Sequence, residues 1–140
     1  MIKIYGVLLT FSPAAWDTIS SFLQSTDTQP SDYDLILTGD LGFTGSELLC
    51  QIAKKDGVEL LNHNDCGMMI FDREAQDVHS GGSGCGCCGS VLCSYVLKQM
   101  EQGRLKNILV CATGALMSTT SSQQGESIPS IAHLVHLSAE

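Results

Sequence analysis

The chain has 140 residues, 44% of them hydrophobic and 16% charged, the composition of one globular domain and not of a disordered segment. Fifteen acidic against seven basic residues leave a net charge of −8, which argues against a sequence-independent phosphate binder and so against nucleic acid as a partner. No apolar run reaches the roughly 18 residues of a membrane-spanning helix, and the opening Met1–Phe11 lacks a clear small-residue cleavage site, so it does not read as a secretory signal.

Ser12-Pro13 predicts the start of a first helix, with Ser as cap and Pro at the first helical position. Trp16, Ile19, Phe22 and Leu23 then recur at helical spacing to about Gln24. Tyr33–Thr38 reads as a buried strand closed by Gly39-Asp40. Ser46 can cap a second helix that runs to about Lys55, with Leu48, Leu49 and Ile52 inward and Asp56-Gly57 as its stop. Val58–Leu61 reads as a second strand, Asn62–Asp65 as a polar turn, and Met68–Phe71 as helix or strand. After a glycine-rich turn, Val91, Leu92, Tyr95, Val96 and Met100 trace another helix, ended by Gly103. Lys106–Thr113 and about Ile131–Leu137 are the last strands, separated by a polar loop over 117–127 and the lead-in Ile128-Pro129. Alternating strands and helices predict an α/β fold with a mostly parallel mixed sheet and flanking helices. Only about three helices are available, so one sheet face is expected to need a partner.

The seven cysteines are an odd number, and Cys85, Cys87 and Cys88 are crowded, which fits reduced thiols in an intracellular protein. Most read as small buried hydrophobes. Cys85 and Cys88 have the C-x-x-C spacing of redox or zinc sites, but a structural zinc wants a second ligand pair, and only Cys66 and Cys111 are loose candidates. His133 and His136 would face opposite ways in a strand and make a poor ligand pair.

Ser80–Gly89 is the most unusual stretch. Gly84-x-Gly86-x-x-Gly89 matches the dinucleotide fingerprint, but no strong strand precedes it and no acid closes the next strand. A flexible turn feeding a helix N-terminus still offers N–H groups and partial positive charge to an anion such as a carboxylate; the plainer alternative is close backbone packing that only Gly allows. Asp40 follows a strand at its carboxyl end, where ligands of open α/β sheets collect. Together the turn and Asp40 would offer an anion site and a cation site, suited to a small chelated dicarboxylate. His63 could serve a nucleophile such as Cys85, or simply belong to a turn whose side chains bond the backbone.

Five blocks, Asp32–Leu41, His63–Gly67, Gly81–Cys87, Ala112–Leu116 and Gln123–Pro129, together resemble the C-terminal half of the stage V sporulation protein AD family. The resemblance runs from about Ser12 to Leu137 and leaves residues 1–11 as an unmatched N-terminal segment before a single half domain over 12–140. It implies a thiolase-like fold whose two halves stack in layers, and a protein of spore-forming bacteria that binds dipicolinic acid or its calcium chelate. It implies work alongside the other stage V sporulation A operon proteins at the periphery of the spore inner membrane. The N-terminal half, which brings the nucleophilic cysteine in that superfamily, is missing from this sequence. The positions of the superfamily's catalytic His and of its second His or Asn hold Gly39-Asp40 and Gly82 here, so no catalytic residue is expected.

The expected function is therefore non-enzymatic binding of dipicolinate. Thr38, Gly39, Asp40, Ser83, Gly84 and Cys85 are the candidate ligand residues, with no cofactor beyond calcium carried as the chelate. A thiolase-like acyltransferase using Cys85 or His63 is the alternative. A structural half that pairs with itself or with a separate N-terminal half is the third reading, because a lone half should expose an apolar layer.

Overall fold

The computed structural model of the chain describes residues 2–82, 84–115, 123 and 130–139. Four strands form one sheet: β1 (Leu35–Thr38), β2 (His63–Asp65), β3 (Asn107–Ala115) and β4 (Ser130–Ser138), in the order β2-β1-β3-β4. β1 pairs in parallel with β2 and β3, and β4 lies antiparallel on β3. The fold is thus α/β with a mostly parallel, mixed sheet, as the alternating pattern implied.

Side chains alternate across the strands. Ile36, Leu109, Cys111 and Ala132 face α1 (Ile2–Thr26) and α2 (Gly42–Lys55), joining Ala15, Ile19 and Leu49 in one core cluster. Leu37, Ile108 and Val110 face the opposite way and pack on Cys66, Cys87, Val91 and Val96. Those residues come from α3 (Cys66–Met69), from α4 (Cys87–Val91) and from a wider π-helical segment, Leu92–Val96, that leads into α5 (Leu97–Glu101). Each fully buried Leu or Ile contributes about 1.5–3 kcal/mol, so both layers hold the sheet. The second layer is the thinner one: Ile131 and Val135, in line with Leu137 along β4, remain 51% and 55% exposed.

The structure departs from the sequence reading in three places. α1 begins at Ile2, so Ser12-Pro13 lies inside it rather than at its start. The Ser12 hydroxyl is not a cap; it donates to the Gly45 carbonyl of α2 (2.8 Å) where the two helices cross. α2 begins at Gly42, so Ser46 is an interior, buried residue whose hydroxyl has no partner among the described residues. The second strand is the polar segment His63–Asp65 and not Val58–Leu61, where Leu61 is 90% exposed. Polar residues form this strand because each side chain finds a partner: Asn62 donates to the carbonyls of Pro30 and Tyr33, His63 meets Thr38, and the Asn64 carboxamide accepts the Asp65 amide. In agreement with that reading, no strand leads into the Gly84-x-Gly86-x-x-Gly89 stretch; residues 72–86 make only turns and bends where described, so the dinucleotide fingerprint lacks its strand. The polar loop over 117–127, apart from Gln123, and the lead-in Ile128-Pro129 lie outside the described residues.

His136 packs edge-on against Tyr33, with ring centroids 5.5 Å apart, while His133 points to the other face, so the two do not converge. Trp16 Nε1 donates to Asp56 Oδ2 (2.6 Å), tying α1 to the end of α2.

Candidate functional site at the carboxyl ends of β1 and β2

Asp65, at the end of β2, organises the site and is fully buried. Its two carboxylate oxygens accept four hydrogen bonds. Oδ2 takes the Thr38 hydroxyl (2.7 Å) and the Leu41 amide (2.9 Å); Oδ1 takes the amides of Gly42 and Gly67 (both 2.9 Å). One side chain thereby holds the exit of β1, the first turn of α2 and, as N-cap, the start of α3. Burial pushes its carboxyl above the ordinary carboxylate range, with the four donors pulling the other way. Thr38 is also fully buried; its hydroxyl lies 2.9 Å from His63 Nε2 as well as bonding Asp65. Thr38 therefore supports the site from beneath.

Above this base the chain turns sharply. Gly39 lies against β3, where an added Cβ would come within 3.1 Å of the Thr113 amide nitrogen. Gly42 has φ +66°, and a side chain there would run into the Ser80 carbonyl, a fit that only glycine permits. Asp40, between them, reaches outward and accepts the Gly84 amide on Oδ2 (2.7 Å). The end of β1 and the glycine turn, far apart in sequence, are thus joined directly. Gly67 closes the third side: an added Cβ would lie 2.8 Å from Asp40 Oδ1 and 2.9 Å from the Gly82 Cα.

The glycine turn is secured by its own backbone, which changes how it could meet an anion. Gly81 donates to the Val78 carbonyl (2.8 Å), Gly82 to the Gly67 carbonyl (3.1 Å) and Gly84 to Asp40. The carboxylate these amides were expected to receive is, at Gly84, the protein's own Asp40. The turn is nevertheless at the surface, since Gly84, Cys85 and Gly86 are exposed. Ser83 lies outside the described residues. Of the six candidate ligand residues, the structure brings Asp40 and Gly84 into contact, places Cys85 beside them in sequence on the exposed turn, and buries Thr38 and Gly39.

His63 is largely buried, and burial lowers its imidazole to about 4, so it is neutral at physiological pH. Its Nδ1 lies 3.8 Å from Cys50 Sγ, whose thiol burial pushes up. Burial likewise raises the Cys111 thiol. Cys66 is fully buried; interaction with Cys88 and then burial raise its thiol, while the Cys88 thiol is drawn down to about 7 by Cys66 against the opposing effect of burial. Among the described residues no group of three His, Cys, Asp or Glu could hold a metal ion. An apolar groove of about 420 Å³ runs beside the turn between α3 and the π-helical segment, lined by Met69, Ile70, Val91 and Tyr95.

Sequence reasoning missed the roles of Asp65 and Gly67. The available signal was Asp65-Cys66-Gly67 followed by an apolar run, an N-cap pattern, which the polar character of Asn62–Asp65 disguised as a turn.

The structure is thus an open α/β sheet whose carboxyl ends are walled by glycines, with the His63 imidazole turned inward beneath them. A family model described as Stage V sporulation protein AD (SpoVAD) matches residues 7–138, and the chain belongs to this family of sporulation proteins. It is similar to stage V sporulation protein AD of Bacillus subtilis (strain 168), with 46% identity over 123 residues, covering 87% of this chain and 36% of that protein. The chain thus spans little more than a third of that relative's length. The family name is not that of an enzyme. No described helix is long and apolar enough to cross a membrane.

Proposed function

We propose that the chain is a non-enzymatic binding component for dipicolinate, taken as its calcium chelate, within a thiolase-like assembly that loads this compound during sporulation. The observation that carries the reading is the Asp40–Gly84 bond, which joins the strand end to the exposed glycine turn. Because Asp40 brings a negative charge to that turn, and the whole chain carries −8, a free dianion is repelled, whereas a chelate presents its cation to the carboxylate. The other stage V sporulation A operon proteins and the periphery of the spore inner membrane are the proposed setting.

Calorimetry with preformed calcium dipicolinate and with dipicolinate alone tests this. Heat with the chelate, absent with the free acid and abolished in Asp40→Ala, is expected; no heat from a folded sample overturns it. The acyltransferase reading gains no support from the geometry, since His63 faces Thr38 and Cys50 beneath the turn.

We further propose that the thin layer of the sheet pairs with a separate N-terminal half or with a second copy. Ile131, Val135, Ile70 and Tyr95 are exposed apolar residues of the strand and helices on that side. A monomer on a sizing column at micromolar concentration, unchanged by an added N-terminal half, overturns this.

A further inference from the structure

We propose that Arg73 receives a carboxylate of the bound chelate, so that a guanidinium and the Asp40 carboxylate, both set against the glycine turn, recognise the anionic and cationic parts of one ligand. This role rests on the dipicolinate reading above and adds the group that selects the anion. Arg73 lies in the turn after α3, where Asp72 Oδ1 accepts the amides of Glu74 (3.0 Å) and Ala75 (3.1 Å). Its guanidinium stands over the Phe43 ring, 4.5 Å from the centroid, a cation–π contact. Phe43, in the first turn of α2, donates its amide to the Ser80 carbonyl (2.6 Å). The same ring flanks Gly81, where an added Cβ would lie 3.4 Å from it. At the next residue, Gly82, an added Cβ would lie 3.1 Å from Asp40 Oδ1. The ring that carries Arg73 and the Asp40 carboxylate thus abut successive residues of one turn.

The contact with Phe43 uses a face of the guanidinium and leaves its N–H edge for a planar acceptor such as a carboxylate. Arg73 is exposed, and among the described residues no carboxylate pairs with it. The other basic residues after α1 lie elsewhere. Lys54 and Lys55 close α2, about 20 Å along the helix from Gly42. Lys98 lies in α5, and Arg104 and Lys106 lead into the start of β3, the end of the sheet away from the turn. His79, nearer in the chain, faces Asp77 (3.7 Å). In a chain of net charge −8, Arg73 is therefore the group that can offset the repulsion a dicarboxylate meets beside Asp40.

Phenylglyoxal labelling of the native chain, read by peptide mass spectrometry, tests this without a variant. The chain has two arginines, Arg73 and Arg104, both exposed, so Arg104 is an internal control. Preformed calcium dipicolinate is expected to protect Arg73 and to leave Arg104 reactive, while calcium chloride alone protects neither. Equal labelling of Arg73 with and without the chelate overturns the assignment. Calorimetry then compares Arg73→Gln with Arg73→Lys. The first should weaken chelate binding by about tenfold or more, the second should recover part of it through its point charge, and both should keep the native melting temperature. Unchanged binding in Arg73→Gln overturns the role of Arg73 and leaves the dipicolinate reading standing; no heat from the native chain overturns both. Binding lost in both variants together with a lowered melting temperature makes Arg73 a clamp on Phe43 and also overturns its role.

Discussion

Asp65 and Asp40 are the same residue type near the ends of neighbouring strands, yet they do opposite work. Asp65 is sealed in and bonded by four donors, three of them backbone amides from two separate turns. Asp40 sits at the rim, where one glycine amide bonds its Oδ2. The contrast separates a carboxylate that builds the crevice from one positioned to serve it. A buried acceptor that loses its charge strands its donors, while the donors of a rim acceptor can turn to water.

Substitutions can break this contrast, beginning with the largest effect. Asp65→Asn keeps the shape but turns an amide group toward backbone donors, so a loss of about 3–5 kcal/mol is expected; urea denaturation measures it, and a loss as small as that of Asp40→Ala removes the distinction. The second effect is on the acid side. His63 has its imidazole lowered from 6.5 to about 4, so between those values the unfolded chain binds a proton that the folded chain refuses. Stability contributed by neutral His63 is therefore complete above about pH 6.5 and falls by about 3 kcal/mol as pH drops through this window. Asp65, with a raised carboxyl, acts in the opposite sense: its folded form keeps a proton the unfolded chain has lost, so its contribution falls as pH rises above 3.8. His63→Gln should flatten the acid slope, and a slope unchanged by it would assign the effect elsewhere.

Gly67→Ala comes third. The new methyl has to displace Asp40 or the Gly82 backbone, at a cost of about 1–3 kcal/mol, and calcium dipicolinate heat should weaken with it. Asp40→Ala is the smallest in stability, about 1 kcal/mol for each hydrogen bond lost at the solvent-accessible rim, while the chelate heat should vanish. Equal loss of stability in Asp40→Ala and Gly67→Ala would mean that the rim, too, is structural.

Much of the fold was legible because its signals are local. The apolar run before Gly39-Asp40 announces β1, Gly103 ends the helical region that precedes β3, and the long apolar patterns near the C-terminus give β3 and β4. What was illegible depends on partners far along the chain. β2 is a strand only because β1 lies beside it in parallel, with Thr38 opposite Asp65. Ser12 reads as a cap until Gly45 supplies another acceptor. Asp40 and the glycine turn were each recognisable, but that Asp40 fills the acceptor position at Gly84 follows from tertiary contact alone.

The tether between α1 and α2 has a practical consequence. Trp16 is the single tryptophan of the chain, it is buried, and its ring nitrogen is bound to Asp56. Its emission therefore reports one defined junction. Unfolding should shift the spectrum to the red as water reaches the ring, giving an intrinsic optical signal that needs no dye or label.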